Sequence, residues 1–450
     1  MTLFLSACSN DDNPAGSGSD GNNISFTATL AAPGSHAATR AAYAEDAEGI
    51  KFSWKAGDRL ALVHNGIKDV VTVGQVAADG SASISGTLSK ALDGEAVKVV
   101  FPEEMVIAPL EGTAYEPYTN QYLNQDGTLD FILNRLVTRE ADATLKVSGG
   151  KATTGSEVVT ECQSAIFKVT FTDGTNPINP STFTISRHNN HALTIPASTY
   201  ATNGDGVVYY GMIPSEPHQL QLTATVGDDT YVYSNVENMP FDAGGYFVWN
   251  IGMSKVEAVQ LWADGPKWAS VNVGAQKPEQ SGKHFAWGTV IGAESSGLGC
   301  SWTTAAYYTG DGQTHSWSKY TEGFATLEAG DDAARVAWKG QWRMPTADEM
   351  SALASPAKVT TTWTADYNGT GVAGMIITGA TPGYTDKSIF LPAAGTGVEA
   401  DVKDAGKTGC YWTPSLDADA QHAATLNFSQ ESFAPGSAPR YYGCSVRPVK

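Results

Sequence analysis

The sequence predicts a mostly β protein built from more than one module. Its 450 residues are enough for two or three compact domains. Glycine is abundant, with 47 residues, and short alternating stretches of apolar and polar side chains outnumber long helical patterns. Nine of the eleven tryptophans follow residue 255, which sets the last part of the chain apart as a rigid module with many turns.

Composition narrows the possible partners. The formal net charge is -19 at pH 7, and the chain contains no basic run of clustered lysine and arginine. Nucleic acids and anionic membranes are bound through such clusters, so no nucleic acid is expected as a partner. The sequence also contains no run of about eighteen apolar residues, so the mature chain is not expected to cross a bilayer as a helix.

Residues 5–8, L-S-A-C, have the form of a bacterial lipobox, in which a small residue precedes a cysteine that becomes acylated. A polar stretch follows, so residues 1–23 are predicted to be a lipoprotein signal remnant and tether, with Cys8 carrying a lipid anchor in the outer membrane. The acidic S-N-D-D at 9–12 resembles the surface-export signal of Bacteroidetes lipoproteins and implies outer-surface display. The alternative is a chance match in a cytoplasmic protein.

The first strand patterns begin at residue 24. Residues 24–30 alternate apolar and small polar side chains, as a half-buried strand does. Residues 50–62 contain two further alternating stretches around a Lys-Ala-Gly-Asp turn. Four large side chains of these stretches are expected to face inward: Phe52, Trp54, Leu60 and Leu62.

Three phrases resemble the fimbrillin family of surface and pilus lipoproteins: A-T-R-A at 38–41, F-x-W-x-x-G-D at 52–58 and the last strand pattern of this half, G-Y-F-V-W-N-I at 245–251. The resemblance implies two β-sandwich modules, which we place at 24–155 and 156–254, with a joint at 149–155. It also implies neighbouring pilin subunits as partners, bound by strand addition.

Arg40 is the expected processing site of such a subunit. The resemblance implies that an arginine-specific protease cuts after Arg40, removes the strand at 24–30 and opens a groove that a neighbour's strand fills. The alternative is that Arg40 is an ordinary exposed loop arginine and that the protein remains a lipid-tethered monomer.

Residues 256–450 contain the ordered phrases W-A-x-x-N-V-G at 268–274, W-R-M-P-T-x-x-E at 342–349 and R-x-x-G-x-S-V-R-P-V at 440–449. Two helices are predicted, one over 332–339 and one starting from a capping box at Thr346, with Met350 and Leu353 facing inward. The phrases resemble the Fibrobacter succinogenes major paralogous domain, which implies an α+β C-type-lectin-like domain at 256–450.

The resemblance also bears on two cysteines of this module. Cys410 and Cys444 lie beside aromatic phrases on two late strands. We predict a disulfide between them, because an exported protein is in an oxidising compartment and lectin-like folds are cross-linked in this region. The alternative is a pair of buried thiols.

Recognition is expected in the loops at 295–330 and 415–420. Rings there can stack on a sugar or anchor a protein, or they can instead pin the insertion between Trp287 and Asp331 to its own core. Aspartates in the second loop can supply oxygen ligands or remain solvated. The ligand-binding candidates are Tyr307, Tyr308, Trp317, Tyr320, Asp417 and Asp419.

No cofactor and no metal site is predicted. Residues 124–130 partly match a calcium loop but lack its bidentate glutamate, and a β-turn is favoured there. The five cysteines lack the C-x-x-C spacing of structural zinc sites.

The sequence as a whole predicts a non-enzymatic cell-surface adhesion protein on the outer membrane or in a fimbrium. We expect a pilus tip subunit with a lectin-like head for a host or microbial glycan or protein, since no spare C-terminal strand follows Cys444. One alternative is a lipid-tethered receptor that does not polymerise. A second is an exported oxidase similar to formylglycine-generating enzymes, although Cys410 and Cys444 do not lie in that family's active-site phrases.

Overall fold

The computed structural model of the protein describes residues 23–33, 43–46, 49–106, 125–188, 198–201, 206–212, 219–235, 242–293, 300–311 and 314–450. The chain forms two compact units: the first contains Met1–Pro117 and Thr138–Gln163, and the second contains Tyr118–Val137 and Ser164–Lys450. The described residues contain 29 strands and three α-helices, which confirms the predicted mostly β class.

The first unit is built on one sheet that closes on itself. The strands of the first unit are β1 (Asn23–Leu30), β2 (Tyr43–Asp46), β3 (Gly49–Phe52), β4 (Arg59–His64), β5 (Ile67–Val76), β6 (Ala82–Ser89), β7 (Ala96–Phe101), β8 (Arg139–Ser148), β9 (Lys151–Thr154) and β10 (Glu161–Cys162). The sheet order is β10-β8-β7-β4-β5-β6-β1-β9, and β9 also pairs with β8. That last pairing completes a ring of strands, while β2 and β3 form a separate hairpin.

Large side chains fill the interior of this closed sheet. Phe52, Trp54, Leu60 and Leu62 are all buried, which confirms the predicted inward faces. The Trp54 ring packs edge to face on the rings of Phe52 and Phe101, with centroids 4.6 and 5.2 Å away. Aromatic pairs in this geometry add to the stabilisation that burial alone provides.

Two glycines expected at a module joint form a hairpin turn instead. Gly149 and Gly150 link β8 to β9 with φ of 59° and 74°. Two successive positive φ values are typical of a tight turn between antiparallel strands. Because β10 also pairs with β8, the chain stays in the first unit as far as Gln163. The joint predicted at 149–155 is therefore wrong, and residues 156–163 belong to the first unit.

The second unit starts with a helix and two small sheets. Its first elements are α1 (Leu129–Arg135), β11 (Ala165–Thr172), β12 (Pro177–Ile178), β13 (Thr182–His188), β14 (Ser198–Ala201), β15 (Val208–Met212), β16 (Gln219–Val226), β17 (Asp229–Ser234), β18 (Tyr246–Gly252) and β19 (Ser254–Lys255). One sheet has the order β12-β11-β15, with β18 parallel to β11. The other has the order β14-β13-β16-β17-β19.

Helix α1 corrects the β-turn expected at 124–130. Asp126 Oδ1 accepts the backbone N–H of Thr128 at 2.8 Å, and Thr128 Oγ1 in turn accepts the N–H of Phe131 at 3.1 Å. This second bond caps the helix, whose Ile132 side chain is fully buried. Residues 126–128 turn the chain, but a helix follows from residue 129.

The second small sheet shares a core with the C-terminal part of the chain. Val232 of β17 and Val256 belong to the same buried cluster as Trp342 and Trp412. Trp342 Nε1 also donates a hydrogen bond of 2.8 Å to Thr230 Oγ1. These contacts hold both parts in one unit, and the predicted division into a second module and a C-terminal domain remains a proposal.

The C-terminal part has short sheets and two helices. Its elements are β20 (Ala258–Gln260), β21 (Lys267–Ala269), α2 (Ala333–Trp338), α3 (Ala347–Ala352), β22 (Val359–Thr364), β23 (Gly374–Gly379), β24 (Ser388–Pro392), β25 (Thr396–Val398), β26 (Asp401–Lys403), β27 (Gly409–Leu416), β28 (His422–Phe428) and β29 (Phe433–Pro439). Both predicted helices are confirmed: Asp332 caps α2, and Thr346 with Glu349 forms the capping box of α3. In the described residues, no helix is long and apolar enough to span a membrane.

A buried arginine joins the two ends of this part of the chain. Arg447 is fully buried and donates hydrogen bonds of 2.8 Å to Asn272 Oδ1, 2.9 Å to the Ala269 carbonyl and 2.8 Å to the Phe390 carbonyl. Burial lowers the pKa of Arg447 to about 10. The R-P-V ending is thereby held against the W-A-x-x-N-V-G phrase.

Candidate functional site

Strand β1, which we call the closing strand, completes the ring of the first unit. It pairs antiparallel with β6 along all eight of its residues. On its other side it pairs in parallel with β9 only at Ser25 and Phe26, the shortest ladder of the ring, and an isolated bridge to Val158 continues that edge. The predicted lipidation and processing residues, Cys8 and Arg40, lie outside the described residues.

The closing strand presents one apolar face. Ile24, Phe26 and Leu30 are buried, whereas Ser25, Thr27 and Thr29 on the other face are exposed. Trp54 Nε1 donates a hydrogen bond of 3.1 Å to the Ala31 carbonyl, directly after the strand. The tryptophan of the F-x-W phrase therefore fixes the point at which the chain leaves the closing strand.

Two predicted ligand-binding tyrosines converge on one carboxylate. The hydroxyls of Tyr307 and Tyr320 each donate a bond of 2.5 Å to a different oxygen of Asp331, and Lys319 Nζ donates one of 2.7 Å. The same Nζ lies 5.3 and 4.9 Å from the two ring centroids. Burial raises the pKa of Asp331, but the hydrogen bonds from Lys319 and both tyrosines outweigh it and hold that pKa below its usual value.

Of the other two candidate rings, one packs on a buried cation and the second packs on the first. Tyr308 and Trp317 lie edge to face, with centroids 5.5 Å apart. The guanidinium carbon of Arg440 is 3.7 Å from the Trp317 centroid and 4.8 Å from the Trp287 centroid. Arg440 is fully buried, and its Nη1 donates a bond of 3.0 Å to the Tyr320 carbonyl. These contacts support the alternative in which the rings anchor the insertion.

The two loops expected to carry recognition meet side by side. We call residues 321–327 and 414–420 the loop pair; a β-bridge and several backbone hydrogen bonds join them, including one of 3.2 Å from Phe324 N to the Asp417 carbonyl. Phe324 is 76% exposed and has a φ of 62°. Bulky residues rarely adopt that backbone conformation, and such strain concentrates at functional segments. The loop pair is therefore a rigid, exposed surface with an aromatic side chain.

Asp417 and Asp419 stabilise their own loop. The Asp417 carboxylate accepts the N–H of Ala418 at 2.7 Å. Asp419 accepts bonds of 3.0 Å from the N–H groups of Gln421 and His422, and its other oxygen lies 2.7 Å from His422 Nδ1. Burial raises the pKa of Asp419, but the bonds from His422 and Gln421 bring it below its usual value. Among the described residues, no group of three or more His, Cys, Asp or Glu side chains is arranged to hold a metal ion.

Cys410 and Cys444 form a disulfide, with Cα atoms 5.1 Å apart. Both half-cystines are buried in the cluster that contains Trp412 and Trp287. Trp412 Nε1 donates a hydrogen bond of 2.6 Å to the Phe285 carbonyl beside them. The disulfide connects β27 to the last residues of the chain, and neither sulfur is present as an exposed thiolate, the form that a reactive cysteine needs.

Three residues that organise this region were missed from the sequence: Lys319, Asp331 and Arg440. Each is charged, and a charged residue in a loop is usually exposed. The sequence signal that could have identified them is their position: Lys319 and Asp331 lie close to the aromatic residues of the insertion, and Arg440 begins the final R-x-x-G phrase. Their partners lie far away in sequence, so only the folded chain identifies them.

No protein-family model and no curated protein matches the chain. A fimbrial protein from Bacteroides ovatus is similar over 96% of this chain and 99% of its own, with 11% identity and a TM-score of 0.26. A fimbrial assembly protein from Parabacteroides distasonis is similar over 51% of this chain and 92% of its own, with 10% identity and a TM-score of 0.29. A candidate cell adhesion protein from Bacteroides ovatus is similar over 53% of this chain and 96% of its own, with 14% identity and a TM-score of 0.32. Similarity at this level carries no argument about function.

Proposed function

We propose that this chain is a cell-surface adhesion protein that occupies the tip of a pilus and presents its C-terminal part as a binding head. The observation that carries the proposal is the geometry of the closing strand. One of its edges is paired along eight residues, and the other edge lies in the shortest ladder of the ring. A strand held in this way can leave as one piece and be replaced by a strand from a neighbouring subunit.

Departure of the closing strand would uncover the edge of β6 and the sites filled by Ile24, Phe26 and Leu30. Burying side chains of this size stabilises a protein by roughly 1.5–3 kcal/mol each. An incoming strand would recover that stabilisation only in the register that places apolar residues at alternate positions. Replacement is therefore favoured over simple loss.

Residues 446–450 are packed too tightly to serve as a donor strand. Val446, Arg447 and Val449 are fully buried, and Lys450 exchanges two backbone hydrogen bonds of 2.9 Å with Lys267. A segment that is part of a core is not available to complete a neighbour's sheet. In the proposed fibre this subunit accepts a strand and donates none from this segment.

The head is proposed to bind a host or microbial glycan or protein. Hydrogen bonds to Asp331 and from Arg440 fix the insertion in place. The loop pair therefore loses little conformational entropy when a ligand binds. Before assembly, acylation of Cys8 would hold the subunit at the outer membrane.

The test follows the closing strand through processing. The full chain is treated with an arginine-specific protease, a peptide with the sequence of residues 23–30 is added, and the products are identified by mass spectrometry. We expect cleavage after Arg40 and exchange of the closing strand for the peptide. Arg40→Gln should block both, whereas Arg59→Gln, at a side chain 59% exposed in the same unit, should block neither.

One result would overturn the pilus proposal. If protein isolated from assembled fibres still contains residues 23–30 in the same chain, the strand is not replaced. A mature chain that begins at acylated Cys8 and stays monomeric would instead identify the lipid-tethered receptor.

A further inference from the structure

A groove of about 440 Å³ lies along β27, β28 and β29 in the C-terminal part of the chain. Asn427 and Ser437 line it from the sheet, Thr396 and Thr408 line it from the segments beside β27, and Tyr442 borders it. Small-molecule sites in proteins have volumes of roughly 300–1,000 Å³. The groove is therefore large enough for a ligand of about two sugar rings.

The lining of the groove is uncharged. Of the described residues that line it, none is an aspartate, glutamate, lysine, arginine or histidine. This is unusual in a chain with a net charge of -19, whose carboxylates are spread over the surface. A phosphorylated or sialylated ligand would find no cation among the lining residues, and the carboxylate of Glu431 accepts a hydrogen bond of 3.0 Å from Ser429, which lines the groove. The chemistry favours a neutral ligand.

Four polar side chains of the groove are not used by the fold, whereas the hydroxyls of two others, Ser429 and Ser432, hydrogen-bond each other at 3.1 Å. The side chains of Thr396, Thr408, Asn427 and Ser437 make no hydrogen bond to other residues in the described part of the chain. An asparagine amide offers two donors and an acceptor, and each hydroxyl offers both functions. Such a set suits the hydroxyl groups of a sugar, which also donate and accept.

Asn427 lies beside a position of β29 that has no side chain. A Cβ atom at Gly436 would lie 2.5 Å from Asn427 Nδ2, so the amide occupies space that a side chain at residue 436 would need. Thr425 is two residues earlier on the same face of β28, and its hydroxyl is buried without a hydrogen-bond partner among the described residues. Asn427 and Thr425 thus place polar groups without hydrogen-bond partners among the described residues on one face of β28.

Apolar surface lies beside these polar groups. Pro439 and Tyr442, both partly exposed, line the groove together with the buried Ala438 and the half-cystine Cys410. The Phe428 ring points to the other face of β28, where it packs in the core on the rings of Tyr411 and Phe433 at centroid distances of 5.8 and 5.7 Å. A saccharide has the matching combination of apolar C–H faces and polar hydroxyl edges.

We propose that this groove binds a neutral saccharide. Asn427, Thr408 and Ser437 hydrogen-bond the sugar hydroxyls, and the apolar part of the groove covers a ring face. The inference rests on the attachment role proposed above and gives its head a ligand class and a site that is separate from the loop pair.

The test uses the full chain on an array of neutral and sialylated oligosaccharides, followed by titration calorimetry with the neutral sugar that binds best. Asn427→Ala and Thr408→Val should each weaken binding roughly tenfold, the usual effect of losing one well-placed hydrogen bond. Thr361→Val is the matched control, since Thr361 is exposed on β22 away from the groove. Circular dichroism confirms that each variant is folded.

Three results would overturn the inference: no neutral sugar bound, a preference for sialylated sugars, or full affinity in both groove variants. Strand exchange is measured on the same preparations. Lost sugar binding with intact strand exchange contradicts the groove alone, whereas intact sugar binding without strand exchange contradicts the pilus role alone.

Discussion

The closed sheet of the first unit and the C-terminal part of the second unit are stabilised in different ways. The closed sheet consists of ladders between strands, and in β1, β5 and β9 buried side chains alternate with less buried ones. The C-terminal part has sheets of two or three short strands, joined by buried arginines, tryptophans and a disulfide. In the first region many similar contacts share the stabilisation. In the second region single side chains connect distant segments.

This difference has a physical basis. Apolar packing is non-directional, so a strand with a similar alternation can replace another in the same sheet. A buried guanidinium requires acceptors at defined positions, and a buried acceptor without its donor costs free energy. We therefore expect the first unit to tolerate exchange and the C-terminal part to tolerate little change at its polar centres.

The largest effect is expected for Arg447→Met. The substitution leaves the acceptors on Asn272, Ala269 and Phe390 without a donor in the interior. Each unsatisfied acceptor costs about 1–3 kcal/mol, so the free energy of unfolding should fall by roughly 3 kcal/mol or more. Arg447→Lys should cost nearly as much, because one ammonium group cannot reproduce the planar fork of an arginine. Urea unfolding followed by tryptophan fluorescence measures both.

The control for Arg447 is Arg335→Met on α2. The Arg335 side chain is 42% exposed and lies 3.6 Å from Asp332. The Asp332 carboxylate is buried, but it keeps the backbone N–H groups of Ala334, Arg335 and Met344 as donors. Loss of this half-exposed ion pair should therefore cost about 0–1 kcal/mol, and the variant should resemble the wild type. If Arg447→Met were equally mild, the proposed difference between the two regions would be wrong.

An intermediate effect is expected for Phe26→Leu in the closing strand. Phe26 is fully buried, but leucine keeps most of its apolar volume and requires no specific partner. A swap of this kind usually costs below about 1.5 kcal/mol. The measurement is the urea midpoint of the first unit, with the outward-facing Thr27→Ala as the matched control. A loss as large as that of Arg447→Met would show that the closing strand is not interchangeable.

The smallest effect is expected at Asp331. Its folded pKa lies below its usual value, so its carboxylate stabilises the insertion above the unfolded pKa of about 3.9, and this stabilisation is lost as the pH falls through the folded pKa. Partly exposed ion pairs contribute at most about 1 kcal/mol. Limited proteolysis of residues 300–330 at pH 7 and pH 3 should therefore show more loss of protection in the wild type than in Asp331→Asn. Equal pH dependence in both proteins would show that this carboxylate does not anchor the insertion.

Some elements could be predicted because their signals are local. The closing strand follows from the alternation at 24–30, and α3 follows from the capping box that begins at Thr346. The inward faces of Phe52 and Trp54 follow from the period of the strand pattern. Each of these signals lies within a few neighbouring residues, and the tertiary structure only adds a surface for them to pack against.

Other elements were mispredicted because one local pattern fits two structures. Gly149 and Gly150 are compatible with a linker or with a hairpin turn, and the pairing of β9 with β8 shows that they form the turn. The Asp-Gly-Thr sequence before residue 129 suits a β-turn or a helix start, and burial of Ile132 favours the helix. In both cases the deciding contact comes from residues outside the local window.

The sequence by itself determined the mostly β class, the closing strand and both C-terminal helices. These features depend on period, capping chemistry and composition, which are properties of short segments. The tertiary structure decided that the candidate rings pack around Asp331 and Arg440, that two distant loops form one surface, and that unused polar groups line a groove. Those outcomes depend on contacts between residues far apart in the chain, because burial and hydrogen-bond partners are fixed only when the segments come together.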